Sequence, residues 1–502
     1  MMDENNFYQI SGYRAHSNGW FTQYNDKPMI DEIASNISKE FRPGGQHAPL
    51  ELVLGILPSG ASYVLMTTEQ MLKFTHMHRL RIPRGPWRAT DFTSLSPIYF
   101  ASHRELSAKL TTYKQRPRNK NRRGDEVLQD NSQANRGYIK TGTNAKHYRA
   151  YFEQQRTLYH LMSRLISPEK FSLLLPSWLG AVRVVSIVFV QWAVDKRPRS
   201  ERLNNPQLIE VGYTDVLFPE FFNTLTGTTQ HLKIKKKMTV KNPLSKDPHH
   251  SVTEEIDEDK LSERLRTVFN HDVHKSDVPL ILLCHDEEMT LGILNHAGID
   301  TSSYESGLDN LLPLRGRSGS SSSKMQRRSR SRSPHRGYHN SPSRLSSDLR
   351  RDYSHPIKLE DGELQSRTYY DSHPAAYVID IQKLANALME VNAPQTVPEA
   401  AALLRIQTDT RTCGGDDSLL QLRMWKSMAE GAAIDEQRSI RASSRAACTE
   451  LLPGPSLKPT TGVDADDDDL DPNDFDAGDP NDLPRAPPTV TRAIDDFSDD
   501  DW

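Results

Sequence analysis

Between Val182 and Val194 the chain reads VRVVSIVFVQWAV, thirteen residues dominated by β-branched and large apolar side chains and free of acids. Side chains of this kind pack well on a pleated surface, so Arg183 to Val194 is read as a strand. Leu208 to Val216 (LIEVGYTDV) and His231 to Val240 (HLKIKKKMTV) have the same character, with turn residues separating the runs. Three such strands on short connections predict an antiparallel meander.

Beyond the meander the period changes. DEDKLSERLRTVFNH, from Asp257, is a helical pattern, and VPLILLC, Val278 to Cys284, is the uninterrupted apolar run of a strand buried on both faces. HDEEMTLGILNHAGI then reads as a helix with Asp286 as its cap and Glu287 and Glu288 in the first turn, where the helix dipole favours acids. AAYVIDIQKLANALMEV predicts a second strand and helix, TVPEAAALLRI and DDSLLQLRMWKSMAEG two more helices. The expected fold class is α/β, with three antiparallel strands followed by parallel strands and flanking helices.

Only 36% of the 502 residues are hydrophobic, 26% are charged and 31 are proline, so long segments are expected to stay unpacked. The expected organisation has five zones. Residues 1–112 form a small α/β module, marked by LELVLGILPSGASYVLMTTEQMLKF, two apolar runs around a Pro-Ser-Gly turn and then a short helix. Residues 113–144, opening with KQRPRNKNRR, form a basic disordered linker. The main domain takes 145–302 and 375–432, split at 303–374 by a disordered Ser/Arg-rich insertion, and 433–502 is an acidic disordered tail. The formal net charge of -3 hides this asymmetry: Arg315 to Arg351 carries eleven basic residues against one acid, Asp464 to Trp502 fifteen aspartates against two arginines.

Several kinds of chemistry find no support. Cys284, Cys413 and Cys448 are too few and too scattered for a disulfide framework or a zinc cluster, so no metal site is expected and a reducing compartment is. Phosphate-loop, nucleophile-elbow and H-E-x-x-H patterns are absent from the sequence. The N-terminus MMDENNFYQI lacks an apolar leader and no stretch approaches a membrane span, so a nuclear or cytoplasmic protein with no membrane partner is expected.

The order of elements, with LIEVGY on the second strand, ILLCHDEEMTLGIL on a strand and helix, YVIDIQKLANAL on the next pair and TCGGDDSLLQLRMW opening the last long helix, resembles the RNase H-like 3′-to-5′ exonucleases of DEDD type, and within them the fungal Gfd-type branch. The resemblance covers Arg183 to about Gly431 apart from the insertion. It implies an RNase H-like mixed sheet. It also implies two Mg²⁺ or Mn²⁺ ions, about 3.5–4 Å apart, held by four carboxylates. The positions that match the first two acids are Val188 and Val190, the third is Thr290, and the family's histidine falls at Thr412. Asp417 alone keeps a carboxylate, and is the one candidate catalytic residue. Neither valine nor threonine replaces a carboxylate on a hard cation. The expectation is therefore a pseudo-nuclease, with Mg or Mn needed only if activity survives.

Each of these residues also has a structural alternative: Asp416 and Asp417 as helix caps, His285 as a hydrogen-bonded strand-end residue, Cys284 and Cys413 as core fillers, Gly414 and Gly415 as a turn. Nucleic-acid contacts, with RNA the expected type, are placed on Lys233, Lys235, Lys236 and Lys237, and on Arg327, Arg328, Arg330 and Arg332 of RRSRSRSPHR. Phosphorylation at Ser333 or Ser341 would reverse the sign of that second segment. Lysines on an edge strand equally serve to block aggregation. The tail sets Phe475, Phe497 and Trp502 among aspartates, a pattern suited to docking on a basic protein partner. Three functions stay open: nucleic-acid association without cleavage, a protein-interaction scaffold, and an active exonuclease with a rearranged set such as Asp286, Glu288 and Asp417.

Overall fold

The structure, a computed structural model, describes residues 6–10, 30–42, 48–83, 85–114, 130, 132–139, 145–174, 182–218, 229–237, 242–243, 245–269, 278–314, 376–391, 395–409 and 411–451. Arg327, Arg328, Arg330, Arg332, Ser333, Ser341 and the aromatic residues of the acidic tail lie outside them. The described residues form a mixed α/β structure with two sheets, and those up to position 446 belong to one compact unit. Among the described residues no helix is long and apolar enough to cross a membrane.

The first sheet comes from the N-terminal stretch: β1 (Asn6–Gln9), α1 (Ile30–Phe41), β2 (Leu50–Ile56), β3 (Ser62–Thr67), α2 (Thr68–Met77), β4 (Trp87–Arg88), β5 (Ser94–Phe100) and α3 (His103–Thr112). Its strand order is β4-β1-β3-β2-β5, antiparallel at every pairing. The Pro-Ser-Gly turn joins β2 to β3 as expected, with Gly60 at φ 82°, a left-handed value that glycine adopts without steric cost. Thr67 and Gln70 close a reciprocal cap on α2.

Next come α4 (Arg136–Ile139) and α5 (Ala145–Met162). The second sheet is built from β6 (Val182–Gln191), α6 (Arg199–Asn204), β7 (Leu208–Phe218), β8 (Thr229–Ile234), β9 (Val252–Ile256), α7 (Glu258–Phe269), β10 (Leu280–Cys284), α8 (Glu287–His296), β11 (Tyr304–Ser306) and β12 (Ala376–Asp380). After them stand α9 (Ile381–Met389), α10 (Val397–Leu403), α11 (Gly414–Ala429) and α12 (Ile434–Leu451). The order is β11-β12-β10-β6-β7-β8-β9. The pairs β6–β7 and β7–β8 are antiparallel, and the remaining pairs are parallel.

Period-2 alternation sorts each strand between two faces. Val184, Ile281, Leu283, Tyr377 and Ile379 enter a core with α5, α9, α10 and α11, whereas Val185, Ile187, Leu280, Leu282 and Val378 meet Leu261, Leu265 and Phe269 of α7 and Ile293 and Leu294 of α8. β10 is buried at every residue, as its apolar run requires. The third meander strand is shorter than its sequence suggests: it stops at Ile234, and Lys235–Lys237 make a 3₁₀ turn instead. It is also not an edge, because β9 pairs with it.

The two sheets share a core. Phe7, Val53 and Leu65 of the first, with Phe92 just before β5, belong to the same cluster as Phe152 and Tyr159 of α5, Val184, Phe218 and Tyr377 of the second, and Trp425 of α11. Polar groups bury with them. Glu153 on α5 accepts from Ser96 Oγ at 2.6 Å and from Ile434 N at 2.8 Å and pairs with Arg156, which donates to Gly431 O at 2.9 Å and Pro97 O at 3.1 Å. Arg149, also fully buried, pairs with Asp435 and donates to Gly60 O and Asn135 Oδ1, each at 3.1 Å. Within the stretch expected as a linker, 130 and 132–139 are thus described and Asn135 is buried. Within the stretch expected as tail, α12 supplies Ile434 and Asp435.

Candidate functional site

A cavity of about 250 Å³ opens where β6 ends and where the chain leaves β10 for α8 and enters α11. β6 pairs parallel with β10 on one side and antiparallel with β7 on the other, and its C-terminal end is the place where open α/β sheets leave a crevice. The wall contains Val188 and Val190 from β6, Thr290 from α8, and Thr412 and Asp417 from the approach to α11 and its first turn. All five positions matched to the exonucleases' acids or base therefore line one cavity, although Thr290 and Asp417 stand 127 residues apart, by 417 minus 290.

Of these five only Asp417 ionises. Its residue is 3% exposed; burial pushes the carboxyl up to about 7 against the lowering effects of Lys246 and the Cys413 backbone, with Asp416 and Glu210 raising it further. A carboxyl raised this far keeps its proton more readily than an ordinary aspartate, and in that form it can donate as well as accept. The neighbouring Asp416 does something else. Its carboxylate accepts from His249 N and His250 N at 3.0 Å and meets Lys246 Nζ at 3.6 Å, which ties the loop before β9 to the helix. Neither aspartate is the N-cap: that residue is Cys413, whose side chain makes no capping bond.

Asp286 also lines the cavity, but it is occupied. It caps α8 by accepting from Met289 N at 3.0 Å, as its place in the sequence predicts, and its two oxygens take Arg199 Nη2 at 3.0 and 2.9 Å. Glu288, on the same arginine at 3.0 Å, does not reach the cavity lining. His285 meets Gln395 O through Nε2 at 2.6 Å, and burial pulls its pKa down, so it stands as a hydrogen-bonded strand-end residue.

Of the lysines expected to contact nucleic acid, three have acids beside them: Lys233 with Asp247 at 3.8 Å, Lys235 with Asp257 at 3.7 Å and Lys237 with Glu258 at 3.4 Å. Lys236 is exposed. The lysines are not brought to the cavity lining.

One constellation has no counterpart among the sequence expectations. Glu210, His231 and Cys413 are buried together, with His231 Nε2 3.1 Å from Glu210 Oε2. Burial raises the Glu210 carboxyl, but the His231 hydrogen bond and charge, the Gly414 N–H and Lys233 outweigh it, and the net shift is downward. No spacing signal joins three residues from β7, β8 and the start of α11. No protein-family model matches this chain, and no curated protein matches it in sequence.

Proposed function

We propose that this chain is an RNase H-like, exonuclease-fold protein that has lost the metal-dependent reaction and associates with nucleic acid, RNA first among the candidates, without cutting it. Two things support the fold reading: three antiparallel strands continue into parallel strands through β10 and β12, and the positions matched to the exonucleases converge. The functional reading is carried by the cavity's composition. Where two hard cations would need several carboxylates, it presents Val188, Val190, Thr290, Thr412 and one Asp417 whose buried carboxyl is raised well above the usual carboxylate range. A volume of about 250 Å³ lies just below the usual range of ligand pockets, about 300 to 1,000 Å³, so it suits part of one terminal nucleotide better than a duplex.

The paired state of Lys233, Lys235 and Lys237 favours the protein-scaffold alternative, because ion-paired lysines give little to phosphate binding. The deciding experiment incubates the full chain with labelled single-stranded RNA and DNA in Mn²⁺ or chelator and follows both shift and shortening across a salt series. Salt-sensitive retention of full-length strands is expected. Mn²⁺-dependent shortening that Asp417→Ala abolishes would sink the reading, and neither shift nor shortening would leave the scaffold.

A further inference from the structure

The face of the second sheet beneath α11 has a regular cross-strand order. Val188, Gly212, His231 and Thr253 form one row across β6, β7, β8 and β9, and Val190, Glu210, Lys233 and Glu255 the next. Paired residues project to the same side of a sheet, so Glu210 and His231 are diagonal neighbours under the start of α11. Gly212 has no side chain between them and the helix: a Cβ there would lie 1.8 Å from Gly414 O. That close approach lowers Cys413 to the sheet. Its Sγ, a Glu210 carboxylate oxygen and a ring nitrogen of His231 lie within 4.8 Å of one another, all buried.

We propose that Glu210, His231 and Cys413 bind one zinc ion that fastens the N-terminus of α11 to β7 and β8. Zinc takes nitrogen at about 2.0–2.1 Å, oxygen at about 2.0–2.2 Å and sulfur at about 2.3 Å, so tetrahedral donors stand roughly 3.3–3.7 Å apart. Glu210 and His231 are already 3.1 Å apart. The histidine is oriented for the purpose: Nδ1 lies 3.0 Å from Thr253 Oγ1, the outer hydrogen bond that fixes a ligating imidazole and presents Nε2.

Charge favours the site as well. One thiolate, one carboxylate and one neutral imidazole cancel Zn²⁺, and a neutral unit buries at far less cost than a charged one. The Cys413 proton leaves to solvent as the S–Zn bond forms. A sulfur, nitrogen and oxygen donor set selects zinc over Mg²⁺ or Mn²⁺, which ask for oxygen alone. Three protein donors leave the fourth tetrahedral position to a water.

The test uses the full chain, stripped with chelator and titrated with Co²⁺ and then Zn²⁺, with far-ultraviolet circular dichroism as the folding control. One equivalent of Co²⁺ with a thiolate-to-cobalt charge-transfer band is expected, displaced by one Zn²⁺. Cys413→Ser should remove the band and weaken zinc binding by 100-fold or more. Should that variant fail to fold, Thr253→Val keeps the ligands and should lower zinc affinity by about 10–100-fold. A folded chain that takes up neither ion overturns the site, and so does a charge-transfer band that survives Cys413→Ser or a zinc affinity unmoved by Thr253→Val.

Discussion

Asp417 carries a cost whose sign can be read from its surroundings. Its carboxyl titrates at about 7 in the fold against 3.8 when unperturbed, because burial penalises the charged form. Between those values the folded chain holds a proton that the unfolded chain has released, so this group's contribution is fully present below 3.8 and is lost as pH rises through 7. Asp417→Asn should therefore stabilise the protein increasingly from pH 5 to 8, by on the order of 2 kcal/mol at the upper end. Urea unfolding at several pH values checks this, and a difference that does not change with pH would refute it. Chemistry can also be put back. Val188→Asp, Val190→Glu and Thr290→Asp together should create Mn²⁺ binding measurable by calorimetry, lost again with Asp417→Ala; no Mn²⁺ binding in a folded triple variant would mean the matched positions are wrong. Residues of this site were legible because each stood in a short run with a recognisable neighbour, as Asp286 did after LLCH. Glu210, His231 and Cys413 were not, since nothing local distinguishes LIEVGY or TQHLKI from ordinary sheet sequence.

Among the elements, α11 depends on a contact between backbones. Gly212→Ala on β7 would drive a methyl group into Gly414, and neither peptide can yield without lifting the helix. A loss of about 3 kcal/mol or more is expected, comparable to severe overpacking, and thermal unfolding of the variant measures it; an unchanged midpoint would show that the helix shifts freely. Strand and helix order was readable from the change of period at Val278 and from the caps. In the second sheet two strands were missed for different reasons. β9 reads VTEEI, exposed at its first four residues, so no apolar alternation marks it. β11 is three residues long, too short for any period to register. The lysine run after β8 misled in the opposite direction, since strand residues and a 3₁₀ turn of charged side chains have no boundary signal between them. α12 hides in a stretch that looks like tail because its burial is confined to the first turn, at Ile434 and Gln437 among its described residues.

For the molecule as a whole, α5 between the sheets sets the acid limit. His160 is 5% exposed, neither ring nitrogen has a hydrogen-bond partner among the described residues, and burial with the Arg156 charge pulls its pKa down to about 4. The unfolded chain takes the proton from about 6.5, so this stabilisation is present above 6.5 and is lost as pH falls toward 4. His160→Leu should flatten that part of the stability curve, and a slope identical to the parent's would count against it. Because Phe7 and Trp425 occupy one core, residues 1–112 produced alone should show poor amide dispersion in solution, whereas sharp, well-spread resonances would mean the first sheet folds without α5 and the second. The same closure has a temporal side on the ribosome. Phe7 leaves the exit tunnel 418 residues ahead of Trp425, by 425 minus 7, and at about 5–20 residues per second that is roughly 20–80 s. For that interval Phe7 waits for core partners not yet synthesised, so slowing translation between the two is expected to lower the yield of folded chain, which pulse labelling with a soluble-fraction readout checks.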